Sequence, residues 1–203
     1  MKVALIGATG RIGSKITAEL LKRGHSVTAI VRNPEKAPDE PNLRAVKGDV
    51  TDTERTAALV RGHDAVISSA PFIPGISAKV LETVRKSGVK RYIAVGGAGS
   101  LKAGDGKMVM DNPQIPAEWL PPIKEGAELL KLLKADSQLD WTFFSPAVNI
   151  GPGERTGKFR LGLDEVVAAP DGKSSISYDD YAIALVDELE QGKHIRKRFT
   201  IGY

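Results

Sequence analysis

MKVALIGATGRIGSK, residues 1–15, drives a short apolar run, KVALI, straight into three glycines at intervals of three, Gly7, Gly10 and Gly13. Such a run reads as a buried strand, and Arg11–Arg23 behind it, apolar at spacings of three and four, reads as a helix. At a turn from strand to helix a glycine reaches positive φ, and its missing side chain lets a diphosphate approach the amides of the helix start. In that geometry Gly7 makes the tight turn, Gly10 admits the pyrophosphate and Gly13 lets the helix pack closely on the strand. The amides from Thr9 through Arg11 to Ile12, at the positive end of the helix dipole, hold the phosphates. A crowded corner alone also asks for glycine, but a strand before the motif and a helix after it are the context a dinucleotide site requires.

The same alternation continues outward. Apolar, β-rich runs recur as SVTAIV from Ser26, LRAVKG from Leu43, DAVISS from Asp64, RYIAVGG from Arg91 and DWTFFSP from Asp140. Strands of this kind are buried on both faces. Helical spacing fills the intervals at Thr53–Arg61, Gly75–Ser87 and Glu118–Asp136. Gly24, Gly62 and Gly88 stand where helices stop, and Thr51-Asp52-Thr53-Glu54 offers a capping box. Strand alternating with helix predicts an α/β, Rossmann-like protein with a doubly wound parallel sheet in the order 3-2-1-4-5-6. Beyond Pro146 the rhythm changes: glycines and a proline lie among charges from Asn149 to Gly162, followed by DEVVAAP, a helix over Tyr178–Glu190 and a closing strand near Arg198–Gly202. Residues 1–203 are expected to form one domain, with 147–180 making most of a small C-terminal substrate lobe.

At 203 residues the chain is long enough for one sizeable core. Its apolar and charged fractions, 41% and 27%, exclude a disordered chain, and no run approaches the roughly 18 apolar residues of a membrane span. Val3 to Ile6 is too short for the apolar core of a signal peptide, about 7–15 residues, which predicts a soluble, cytoplasmic protein. With no cysteine, disulfides, thiolate catalysis and thiolate metal sites are excluded together. A net charge of +4 invites a nucleic-acid reading, but the basic residues are dense only from Lys193 to Arg198, with no zinc-finger spacing or aromatic-plus-basic repeat. Neither nucleic acid nor membrane is expected as a partner; a modest positive field suits an anionic, phosphate-bearing ligand. No metal-ligand spacing joins His25, His63 and His194, which points to structural roles.

A chain that reads NAD places an acid about 20 residues past the glycines, on the ribose 2′-hydroxyl. Here AIVRNPEK puts Arg32 in that place. Its planar fork fits a 2′-phosphate, which favours NADP(H) over NAD(H); the other reading of Arg32-Asn33-Pro34 is a solvated turn. In KGDV, Asp49 follows the third strand with Val50 beside it, suited to accept from the adenine amino group. Ser68-Ser69-Ala70 closes the fourth strand with small residues that leave room for the ribose beside nicotinamide. Ordinary strand-end chemistry uses the same residue types.

GATGRIG after the first strand, the arginine after the second, GDV after the third and LDWTFFSPA at the sixth together resemble the atypical short-chain dehydrogenase/reductase superfamily. Within it the chain looks like the NmrA-like NAD(P)-binding group. ERTGKFRLG, ISYDDYAIALVDELE and RFTIGY are similar to the subgroup named for NADH-flavin reductases, so the resemblance runs nearly the whole length. The superfamily's usual catalytic pair is a tyrosine four residues before a lysine, the phenol giving a proton to a carbonyl. This sequence departs from it: Gly96, Ala182 and Leu185 stand four residues after Tyr92, Tyr178 and Tyr181, and Lys124, which matches the lysine, has Leu120 four residues before it. The resemblance leaves Lys124 to bind the nicotinamide ribose, or to be solvated as helix lysines commonly are. It also makes Ser100 a candidate for the superfamily's catalytic serine and carries Pro146 to the cofactor end of the sixth strand.

Two functions fit. The first is an NADPH-dependent oxidoreductase passing hydride to a flavin, quinone or similar conjugated acceptor without the Tyr-x-x-x-Lys relay, because an electron-poor ring takes hydride directly and water supplies the later proton. The second is a non-catalytic NADP(H)-binding redox sensor that regulates a partner. Epimerase or dehydratase chemistry needs an acid–base pair that the sequence does not place.

Overall fold

The computed structural model describes residues 1–203. In chain order its elements are β1 (Lys2–Ile6), α1 (Arg11–Lys22), β2 (Ser26–Val31), β3 (Leu43–Lys47), α2 (Thr53–Val60), β4 (Ala65–Ser68), α3 (Ile76–Ser87), β5 (Arg91–Val95), α4 (Leu120–Lys134), β6 (Asp140–Ser145), β7 (Asn149–Gly151), β8 (Arg160–Gly162), β9 (Ser175–Ser177), α5 (Tyr178–Gln191) and β10 (Lys197–Gly202). The first six strands lie in the order 3-2-1-4-5-6, all parallel. β10 continues the sheet in parallel beside β6, and β8 closes that edge antiparallel to β10. β7 and β9 pair with each other outside the main sheet.

Period-two alternation explains why the strands read as unbroken apolar runs. Val3 and Leu5 point into a core shared with Ile16 and Leu20 of α1 and Leu185 and Leu189 of α5. Ala4 and Ile6 point into the opposite core, with Val60 of α2, Val80 and Val84 of α3 and Leu129 and Leu133 of α4. Both faces of the sheet are covered by helices, the defining feature of a doubly wound fold.

Beyond shifts of one or two residues at helix ends, the structure alters the sequence reading in three places. A single 3-10 turn, Ala117–Trp119, runs into α4, which starts at Leu120 because Pro121 and Pro122 are tolerated only in a first turn. α2 is capped by Asp52 alone, which accepts from the Arg55 amide at 3.2 Å. The Thr51 hydroxyl turns to Asp49 and Glu54 to Lys86 instead of closing a capping box. The segment KFRLG lends its last three residues to the main sheet.

The histidines sit in structural bonds: His25 beside Glu190 at 2.9 Å, His63 beside Thr28 at 2.8 Å and His194 beside Glu188 at 2.7 Å. No helix is long and apolar enough to cross a membrane.

The segment between β7 and β8 is held by charge. Fully buried Asp180 accepts from the Thr156 hydroxyl at 2.6 Å, the Gly157 amide at 2.8 Å and the Tyr203 hydroxyl at 2.8 Å. Arg155 reaches across to buried Glu19 of α1 at 2.8 Å. Burial pushes both carboxyls up, and the donors outweigh it: Thr156, Gly157 and Tyr203 hold Asp180, and Arg155 and Arg23 hold Glu19, below the ordinary carboxylate range. Groups lowered in this way stabilise the fold above their unfolded values, near 3.9 for Asp and 4.3 for Glu, and that stabilisation is lost as pH falls through the folded values. Thermal unfolding followed by circular dichroism is therefore expected to show a midpoint that falls steeply below about pH 4, and less steeply in Asp180→Asn, which starts lower at neutral pH. A pH dependence identical in the two proteins would contradict this account.

Candidate functional site

The three glycines of the β1–α1 turn have separable physical reasons. Gly7 lies at φ +82, and a Cβ there would stand 2.4 Å from the Ser69 carbonyl oxygen. A Cβ on Gly13 would stand 2.1 Å from the Gly7 carbonyl oxygen, so the helix sits directly on the turn. Gly10 is different: it is exposed, at φ −72, and a Cβ meets only the Gly7 oxygen at 3.3 Å. Packing alone demands little of that position. The next three amides, Arg11, Ile12 and Gly13, donate to no group of the chain, whereas Ser14 donates to the Gly10 carbonyl at 2.8 Å. Free amides at a helix N-terminus beside an exposed glycine fit a diphosphate.

From this turn a groove of about 470 Å³ runs across the carboxyl ends of β1 to β4, bordered by Thr9, Gly10, Arg32, Asp49, Val50, Ser69 and Ala70. That crevice, where strand order reverses between β1 and β4, is the binding position of open α/β sheets. Arg32 is exposed just past β2, with no hydrogen bond or ion pair to the chain. The Thr51 amide and hydroxyl, each 2.8 Å from one oxygen of Asp49, hold that carboxyl below its ordinary range, with smaller help from Arg32 and Lys79.

The groove adds residues that the sequence did not single out. Lys36, exposed and unpaired, borders it because the one-turn helix Pro34–Lys36 folds the segment after Arg32 back toward it. Asn33, Thr51, Pro71, Ile73 and Ile76 complete its walls. The spacing RNPEK, two cations four apart around a proline turn, is the signal that was there to be used for Lys36.

Other candidates lie outside the groove. Ser68 is buried, and its hydroxyl bonds the Tyr92 hydroxyl at 2.7 Å, so only its neighbours Ser69 and Ala70 face the groove. This corrects the expectation for Ser68: strand alternation turns it inward, to the face of Val66. Ser100 does not stand free either; its hydroxyl and carbonyl oxygens accept from buried Arg198 at 3.0 and 2.9 Å, and Asp164 binds the same guanidinium. The serine is thereby fixed toward β10. Pro146 is buried at the end of β6, and its carbonyl accepts from Thr200 at 3.4 Å. Lys124 is exposed on α4 and is not among the residues that border the groove.

No tyrosine borders the groove. Tyr92 is fully buried against Ser68, and burial pushes it above the usual range despite that bond. Tyr181 donates to the Phe144 carbonyl at 2.6 Å and is raised by burial too. Tyr203 donates to Asp180, and Tyr178 opens α5.

A doubly wound sheet, a glycine turn with free helix amides and a crevice at the strand reversal define a dinucleotide-binding protein of Rossmann type. Residues 7–192 match the family described as NAD(P)H-binding, and the chain belongs to it. It is 40% identical to the Bacillus subtilis protein YwnB over 211 residues, covering 99% of this chain and 98% of that one. Among solved structures it is similar to a Bacteroides thetaiotaomicron protein called a "putative epimerase", at 43% identity and TM-score 0.95, covering 100% of this chain and 96% of the other. It is also similar to a Streptococcus pneumoniae protein called a "putative NADH-flavin reductase", at 40% identity and TM-score 0.88, covering 100% and 99%.

Proposed function

We propose that the protein is an NADPH-dependent reductase of the atypical short-chain, NmrA-like kind, working in the cytoplasm on a flavin, quinone or similar conjugated acceptor. The observation that carries this reading is the state of the tyrosines: three of the four hydroxyls are engaged inside the fold, and position 120, four residues before Lys124, holds a half-buried leucine. An alkoxide forming there has no phenol to protonate it. A conjugated ring avoids that demand, because it spreads the incoming charge and takes its proton from water. The name of the Streptococcus relative points the same way. The epimerase name of the Bacteroides relative calls for an acid–base pair; of the titratable groups that border the groove, this reading gives Arg32 and Lys36 to the 2′-phosphate and Asp49 to the adenine.

NADPH, when bound, supplies a hydride. The chain's part is to hold and orient: the amides of Arg11 to Gly13 for the diphosphate, Arg32 and Lys36 for the 2′-phosphate, Asp49 for the adenine amino group and Lys124 for the ribose hydroxyls.

Anaerobic stopped-flow loss of NADPH absorbance, with FMN, riboflavin, a quinone and a simple ketone in turn, is the test. Conjugated acceptors are expected to react faster than the ketone. Tight NADPH binding without oxidation by any flavin or quinone would overturn the reductase reading in favour of a redox sensor. In Leu120→Tyr, a phenol restored four residues before Lys124 is expected to raise ketone reduction by up to about 10²-fold, the lower range of general-acid catalysis, and to leave flavin reduction within about twofold. An equal change for both acceptors would show that protonation is not what separates them.

A further inference from the structure

The wall of the groove between β4 and α3 is anchored on α4. Gly75, at φ +83, opens α3 with no side chain to cap it. The carboxylate of Glu125 on α4 takes that role from across the interface: one oxygen accepts from the Ser77 amide at 2.8 Å and the other from the Gly75 amide at 3.2 Å. The Ser77 hydroxyl donates to the Glu125 carbonyl at 3.4 Å. Glu125 is buried, 9% exposed, between Lys124 and Gly126. Beside it, Phe72 from the same wall packs on Gly126, 3.4 Å from where a Cβ would stand. The wall thus meets α4 at two successive residues, one polar and one apolar, while Pro71, Ile73 and Ile76 face the groove.

We propose that Glu125 is a positioning residue that couples nucleotide binding in the groove to the first turns of α4, where Lys124 stands. The inference rests on the NADP(H) reading of the groove. A ligand pressing on Pro71, Ile73 and Ile76 orders the wall. The wall holds Glu125 through two amides that lose their partner if α4 moves away. Ordering is therefore passed to Lys124 before any group of the ligand reaches it, so that the lysine is set at the place where the reacting half of the cofactor must lie.

The probe is 2′,5′-ADP, the half of NADPH that fits the Arg32 and Asp49 end, and the readout is amide hydrogen exchange. In the parent protein the probe is expected to slow exchange at residues 9–13 and also, about fivefold or more, at the amides of residues 123–126, which follow Pro121 and Pro122, a factor at the lower end of usual coupling between sites. In Glu125→Gln, whose NH₂ only donates and so leaves one of the two wall amides without an acceptor, protection at 9–13 is expected to persist and that at 123–126 to vanish. Protection of 123–126 that is missing from the parent, or that survives in Glu125→Gln, overturns the proposal; the first result needs no variant to fold. Protection nowhere in the parent overturns the NADP(H) reading and this inference with it.

Discussion

Gly10→Val is expected to fold as the parent does and to bind NADP(H) about a hundredfold more weakly or worse. The two halves of that result come from different atoms. Backbone at φ −72 and ψ 172 suits valine, and the added Cβ meets a single oxygen at 3.3 Å, a crowding that a shift of a few tenths of an ångström relieves. The branched methyls, however, project from an exposed position beside the free amides of Arg11, Ile12 and Gly13. A diphosphate pushed off two of those amides loses two charge-assisted hydrogen bonds of about 1.5–3 kcal/mol each, which is where the hundredfold comes from. Gly13→Val is the control with the opposite signature: its Cβ would lie 2.1 Å from the Gly7 oxygen, so the turn or the helix must give way and stability falls. Circular dichroism and calorimetric titration on the two variants separate the roles. Parent-like nucleotide affinity in a folded Gly10→Val protein would remove the diphosphate cradle from the account.

The sheet is legible in the sequence because both of its faces are buried. KVALI and DWTFFS are buried at every position past the first, and the glycines that stop α1, α2 and α3 punctuate the helices between such strands. The tail is harder. RLG joins the main sheet while NIG and SIS pair apart, a choice made by which edges are free in three dimensions rather than by anything local. The site follows the same division. Gly7, Gly10, Arg32 and Asp49 follow strand ends, where topology alone brings them to one crevice. Lys36, Ile73 and Ile76 reach it through a 3-10 turn and a loop whose path no periodicity encodes. Ser68 is the reverse case: parity along β4 with Val66 shows that it points into the core, and Ser69 is the residue that faces the groove.

Coenzyme choice is the sharpest remaining consequence of the groove. Arg32 stands where a carboxylate would accept from a ribose hydroxyl, and nothing in the chain engages its guanidinium. Lys36 adds a second unpaired cation at the same end, and the one acid there, Asp49, is turned toward Thr51. On the function proposed, a 2′-phosphate is attracted by both cations, whereas a 2′-hydroxyl has no carboxylate in the place that NAD-reading chains provide. The parent is expected to bind NADPH about tenfold or more tightly than NADH, the worth of one charge-assisted hydrogen bond of about 1.5–3 kcal/mol. Because both cations are exposed, the preference shrinks as salt is raised. Arg32→Asp replaces attraction by repulsion toward the phosphate and offers the ribose hydroxyl an acceptor, so the ratio is expected to fall to unity or invert. Lys36→Ala removes only the weaker point charge and is expected to narrow the ratio without inverting it. Calorimetric titration of both coenzymes at two salt concentrations reads all of these at once. Equal affinities in the parent, unchanged by Arg32→Asp, would return the arginine to a solvated turn and leave the choice of coenzyme to some other part of the groove.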